Sequence, residues 1–158
     1  MGFADIRKRI IETGMRPNRG ASRITLDRFE KDYHVHLPEQ VKENYLIMNG
    51  ADPLAEGPQP LSGMRFWPIE EWRPVRALFP ECEELVSFPD DFFICADYAV
   101  ESFWFGIDLT NHSMKYGSVQ GVFGLLDGIV AINFARFISE IEAGPHFVFS
   151  YLSAQAMD

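Results

Sequence analysis

The sequence predicts an α+β domain, a mixed or antiparallel sheet packed by N-terminal helices and a C-terminal helix. Three observations lead there. Helical periodicity fills the first third of the chain, a run of short apolar strand patterns follows, and another helical pattern comes after them. The 158 residues are 47% hydrophobic and 14% aromatic, with 14 phenylalanines, which suits one folded core. No internal repeat or low-complexity run interrupts the pattern, so residues 1–158 are expected to form a single domain.

Phe3, Ile6, Ile10 and Ile11 recur at helical spacing with basic residues between them, and Gly14 closes that helix. Residues 16–20, with Pro17 and Gly20, read as a loop. Thr25 is the expected N-cap of a second helix whose apolar face is Leu26, Phe29 and Tyr33. A third helix is expected over 38–48, with Pro38 at its first position, where the fixed φ fits and the missing N–H costs nothing. Glu39 adds a favourable charge in its first turn. Asn49-Gly50 ends it, Gly50 taking the left-handed C′ conformation.

Prolines and glycines make 51–63 a loop. A short strand is expected over 64–68. A weak helix over 69–78 is interrupted by Pro74. After a second loop around Pro80 and Pro89, residues 92–96 form a continuous apolar strand, the pattern of a strand covered on both faces. Strands over 102–109, 114–119 and 122–125 follow, and Asp127-Gly128 reads as a turn. Asn133 is placed to cap a helix with Phe134, Phe137, Ile138 and Ile141 inward, ended by Gly144-Pro145. Residues 146–152 suggest a short final helix or strand.

The net charge of −9 argues against nucleic-acid binding, which needs cations to replace phosphate counterions. It also disfavours an anionic membrane surface, and no apolar run is long enough to span a bilayer. A basic protein partner, by contrast, would be steered by this field. Cys82 and Cys95 have no metal-ligand spacing, Arg7-Lys8-Arg9 breaks any signal-peptide core, and Ile6 stands where a myristoylation motif needs Ser or Thr. These features point to the reducing cytoplasm.

The most specific punctuation is Phe29-Glu30, then Leu37-Pro38-Glu39, Val41, Tyr45, Leu46 and Asn49-Gly50. It resembles the signature of the SUKH superfamily, the Smi/Knr-type domains, which include bacterial toxin-immunity proteins and fungal cell-wall regulators. Further matches are residues 66–71, the sheet residues 94–109 and residues 131–138, so the resemblance spans about 24–141. Asn44 replaces a usual apolar residue, Ala51 replaces a common second glycine, and residues 97–101 stand where many relatives have glycines. The resemblance implies the same α+β architecture.

No nucleophile elbow, P-loop or paired-histidine zinc motif is present, so no enzyme and no cofactor is expected. His34 and His36 alternate as strand ligands would, yet no third ligand completes a metal site. Asp97, Glu101 and Asp108 are candidates for a carboxylate cluster, more useful for meeting a partner's Lys or Arg than for acid–base work. Trp67, Trp72, Tyr98 and Trp104 are candidate aromatic anchors. Trp104 sits between Phe103 and Phe105, where alternation buries one set. Trp72, in the polar run Glu70-Glu71-Trp72-Arg73, is expected to be the exposed one. The expected partner-binding set is therefore Trp67, Trp72, Asp97, Tyr98 and Glu101. The resemblance implies an immunity protein that occludes a cognate toxin domain, a basic nuclease face being one such target. The alternative it implies is a regulatory or scaffold interaction module.

Overall fold

The computed structural model describes residues 3–12, 14–53, 64–78, 91–98, 103–110, 112–118, 125–131 and 136. Helix α1 (Phe3–Glu12) leads into strand β1 (Met15–Pro17), then helices α2 (Arg23–Tyr33) and α3 (Glu39–Ile47). Strands β2 (Ala51–Pro53) and β3 (Met64–Phe66) follow. A 3-10 turn (Ile69–Glu71), a two-residue strand β4 (Arg73–Pro74) and a short helix α4 (Val75–Leu78) come next. The sheet is completed by β5 (Phe92–Tyr98), β6 (Phe103–Asp108), β7 (Met114–Ser118) and β8 (Leu125–Ala131).

The strand order is β1-β2-β3-β5-β6-β7-β8, and every pairing is antiparallel. One edge of β5 is shared. β3 pairs with Ala96–Tyr98 and β4 with Phe93–Ile94, on either side of a register shift between Ile94 and Ala96. At that irregularity the Trp67 amide donates to the Cys95 carbonyl at 2.8 Å. The α+β class with N-terminal helices is as the sequence predicts, and the sheet is antiparallel. The expected C-terminal helix lies outside the described residues except for Arg136, which is helical. So do residues 54–63 and 79–90, which hold most of the expected loops, and residues 146–152.

Several local expectations are corrected. Residues 15–17 and 51–53 are strands, not loop, and their prolines sit at strand ends, Pro17 opposite Ala51 and Pro53 opposite Met15. Ser22, not Thr25, caps α2: the Thr25 amide donates to Ser22 Oγ at 3.1 Å, and the two hydroxyls bond at 2.9 Å. Pro38 is the N-cap of α3 rather than its first residue, and its carbonyl accepts from the amides of Val41 and Lys42. The left-handed residue Gly50 (φ 78°) falls two positions after the C-cap Met48, one later than a C′ glycine. Ile11 is 48% exposed while Ile10 is fully buried, so α1 turns a narrower face inward than its isoleucines suggest. The weak helix over 69–78 is the 3-10 turn, β4 and α4, with Pro74 immediately before α4. Asp127-Gly128 lies inside β8. There Leu126 pairs with Tyr116 and Ile129 with Lys115, so the two residues form a bulge instead of a turn.

β5 from Phe92 to Asp97 and β6 from Trp104 to Asp108 are buried at every residue. The helical layer meets this centre through aromatic rings. Phe29 lies 5.2 Å from Phe93 and 5.8 Å from Trp72, edge-on to both, and Tyr33 lies 5.0 Å from Phe93.

The Phe29-Glu30 and Leu37-Pro38 pieces of the sequence signature explain each other. Glu30 Oε1 accepts the Leu37 amide at 2.7 Å and sits 3.1 Å from Lys42 Nζ, so one carboxylate ties the end of α2 to the start of α3. The hydrogen bond to Glu30 holds the Lys42 pKa above its ordinary range. Glu30→Ala is expected to lower unfolding free energy by about 2 kcal/mol and Glu30→Gln by less, because the amide oxygen still accepts from Leu37. Urea denaturation of the two variants checks the order. Equal losses would show that the acceptor is not what matters.

Candidate partner-binding surface

Three of the sequence-predicted partner-binding residues are not at the surface. Trp67 is 6% exposed, Trp72 0% and Asp97 4%. They form a buried polar chain. The Trp72 indole N–H is shared between Tyr45 Oη and the Trp67 carbonyl, 3.1 Å from each, and the Tyr45 hydroxyl donates to that same carbonyl at 2.9 Å. The Trp67 indole N–H in turn donates to Asp97 Oδ2. Buried N–H and O–H groups need partners, and this chain supplies them. Its chemistry is that of a lock between α3, the 3-10 turn and β5. Tyr98 occupies β5 opposite Met64 and Phe103, and its side chain, like all of Glu101, lies outside the described residues.

Of the expected carboxylate cluster, Asp97 and Asp108 lie apart, and Glu101 is outside the described residues. Asp97 pairs with Trp104 at one end of the β5–β6 hairpin, whereas Asp108 pairs with Phe92 at the other, about 13 Å along the strands. Asp108 serves the β6–β7 connection, accepting the Thr110 amide at 2.9 Å. Trp104 and Phe105 are both buried, so alternation spares neither. His34 and His36 are exposed, and His34 (φ 54°) is the left-handed C-cap of α2. Among the described residues no group of three or more His, Cys, Asp or Glu is placed to hold a metal ion.

Burial sets the titration of two groups here. It pushes the Tyr45 hydroxyl well above its ordinary 10.0 and the Cys95 thiol well above 9.0. The native protein therefore keeps both protons in a range where the unfolded chain releases them. Fewer protons on the unfolded state means that stability falls as pH rises. The loss begins near pH 9, continues through pH 10, and runs at about 1.4 kcal/mol per pH unit for each group. Urea midpoints at pH 8 and pH 11 are expected to differ steeply. Tyr45→Phe and Cys95→Ala are each expected to flatten the profile.

Among the described residues, a cleft of about 360 Å³ opens to solvent between α2 and the segment from Ile69 to Arg73. Thr25, Arg28, Phe29, Asp32 and Tyr33 supply one wall, which is the i, i+3, i+4, i+7, i+8 face of α2. Ile69, Glu70 and Arg73 supply the other. Phe29, nearly buried, and Tyr33, half-buried, make the floor, Ile69 is fully buried, and Arg28, Asp32, Glu70 and Arg73 are exposed at the rim. Trp72 stands behind Phe29 and supports the floor without lining it. The far wall is held in place by Asn49, whose Oδ1 accepts the Ile69 amide and whose Nδ2 donates to Glu70 Oε2, both at 2.8 Å. Arg73 Nη1 donates to the Glu70 and Trp72 carbonyls. Beside it, Arg65 bridges Asp52 and Glu71 at 3.0 and 2.8 Å.

The helical spacing of Arg28 and Asp32 beside Phe29 was visible in the sequence. What no sequence pattern displayed was the segment that closes the cleft. Asn49 thus does two jobs, ending α3 and fixing the wall. The signature residues therefore build the scaffold around the opening. The model of the SMI1 / KNR4 family (SUKH-1) matches residues 20–140. The chain belongs to this family. Within this SUKH-1 domain the match takes in α2, α3 and all the strands from β2 to β8. No curated protein matches the chain.

Proposed function

We propose that this SUKH-1 domain acts by binding another protein, and that the partner is a cognate toxin domain whose active face it covers. The observation that carries the proposal is the open cleft with an aromatic floor and a charged rim, on a scaffold built by the family's own signature residues. Support comes also from the family, which includes toxin-immunity proteins, and from the motif-poor sequence, which offers no catalytic constellation. The charge of −9 favours a basic toxin face, such as that of a nuclease, by speeding encounter. No described helix is long and apolar enough to cross a membrane, and the proposed place of action is the cytoplasm.

The test is co-expression with the product of the neighbouring toxin-like gene. The tagged chain is expected to co-purify with that product and to restore growth. If it does neither, the immunity function fails, and a regulatory scaffold becomes the better description. For the complex, raising ionic strength from 50 to 500 mM is expected to slow association about tenfold while dissociation changes little, measured by stopped flow.

A further inference from the structure

We infer, resting on the protein-binding function proposed above, that the cleft between α2 and the Ile69–Arg73 segment receives a loop of the partner protein. That loop presents an apolar side chain flanked by one acidic and one basic residue. At about 360 Å³ the cleft is at the small end of ligand sites, matching one side chain with its neighbours rather than a helix or an extended strand. Its floor is aromatic, with the half-buried Tyr33 ring the more accessible and the Phe29 ring, 4.9 Å from it, the deeper.

The rim decides the flanking charges. Arg28 and Asp32 stand one helical turn apart, a spacing at which ion pairs commonly form, yet neither is paired among the described residues. On the opposite wall, Arg73 spends Nη1 on two carbonyls, which fixes the guanidinium and leaves its other donors for a carboxylate. Glu70 is oriented by the Asn49 amide. Each wall therefore carries one cation and one anion. A purely cationic or purely anionic ligand meets a repulsive group on both walls, and a phosphate backbone meets Asp32 and Glu70. A loop bearing both signs meets none, provided its charges are in register.

The probes are capped tripeptides titrated into the labelled 158-residue chain and followed by amide NMR. Ac-Asp-Phe-Lys-NH2 is expected to bind saturably, with shifts confined to residues 25–33 and 69–73, and at least fivefold more tightly than Ac-Ser-Phe-Ser-NH2. Arg28→Glu, at an exposed position, is expected to leave the melting temperature unchanged and weaken the charged peptide about tenfold. It is also expected to shift preference toward Ac-Lys-Phe-Lys-NH2, a change of specificity that a merely structural residue would not produce. Equal binding of the serine-flanked peptide, shifts elsewhere, indifference to Arg28→Glu, or no binding at millimolar peptide would each overturn the inference. So would tighter binding of free phenylalanine, which would make the cleft a metabolite pocket. A toxin that co-purifies equally well with Arg28→Glu would sink the cleft but leave the immunity function standing. Peptide binding without a toxin partner would do the reverse.

Discussion

Trp72→Ala is expected to lower the unfolding free energy by about 4 kcal/mol, the largest loss from any single aromatic truncation in this domain. Trp72 is fully buried, packs edge-on against Phe29 at 5.8 Å and Tyr45 at 5.3 Å, and shares its N–H between Tyr45 Oη and the Trp67 carbonyl. Truncation therefore opens a cavity and also strips a donor from two buried oxygens. Trp72→Phe separates the two contributions. It keeps most of the apolar volume and loses the donor with part of the ring, so about 1–2 kcal/mol is expected. Urea denaturation followed by circular dichroism reads both. An interface tryptophan would behave differently, with stability held within about 0.5 kcal/mol on truncation and the loss appearing only in partner binding. A stable Trp72→Ala variant would return this residue to the surface and overturn the buried lock.

The reason Trp72 misleads a sequence reader is a matter of period. Glu70, Glu71 and Arg73 surround it with charge, and in a strand or a ragged helix that context reads as exposed. The segment is instead a 3-10 turn, in which residues three apart eclipse. Ile69 and Trp72 therefore both face inward at 0% exposure while Glu70 and Glu71 face out. The spacing Ile69-x-x-Trp72 carried that information in a form too short for a helical test to register. Asp97 misleads similarly. Its charge suggests a strand end in water, but the Trp67 indole supplies a buried partner, and only the fold brings residues 30 positions apart together.

Legibility was high where the backbone itself constrains the residue type. Pro38, Asn49 and Gly50 bracket α3 because few residues take those conformations, and Phe29, Leu26, Val41 and Tyr45 point inward as helical spacing requires. It was low for β1 and β2, three residues each with a proline at one end, which are strands only because a neighbour offers its ladder. The cleft falls between these cases. Its α2 wall is periodic and readable. Its other wall depends on Asn49 reaching the Ile69 amide, a contact across 20 positions.

Gly20→Ala is expected to cost about 3–4 kcal/mol, though Gly20 lies in a stretch that reads as an ordinary loop. The backbone around Gly20 runs directly against the last turn of α3, and an added Cβ would overlap the carbonyl oxygen of Leu46. A carbonyl in a helix cannot rotate aside as a side chain can, so the loop must withdraw. Withdrawal breaks a set of bonds that seat it. The Ala21 amide donates to the Tyr45 carbonyl at 2.8 Å, the Asn18 amide to the Gly50 carbonyl at 3.0 Å, and Asn18 Nδ2 to the Asn49 carbonyl at 3.1 Å. At about 1 kcal/mol each, these bonds set the scale of the loss. Gly50→Ala acts on the same joint from the other side. It combines a left-handed φ of 78° with a Cβ placed 2.5 Å from the Phe66 carbonyl oxygen, and a similar loss is expected. Ser22→Ala removes only the cap of α2 and is expected to cost about 1 kcal/mol, which makes it the control for a local change. Since both glycines seat one joint, the double variant is expected to lose less than the sum of the two. Additive losses would mean that the loop and the end of α3 are seated independently, and an unchanged denaturation midpoint for Gly20→Ala would mean that the close approach to Leu46 is not there.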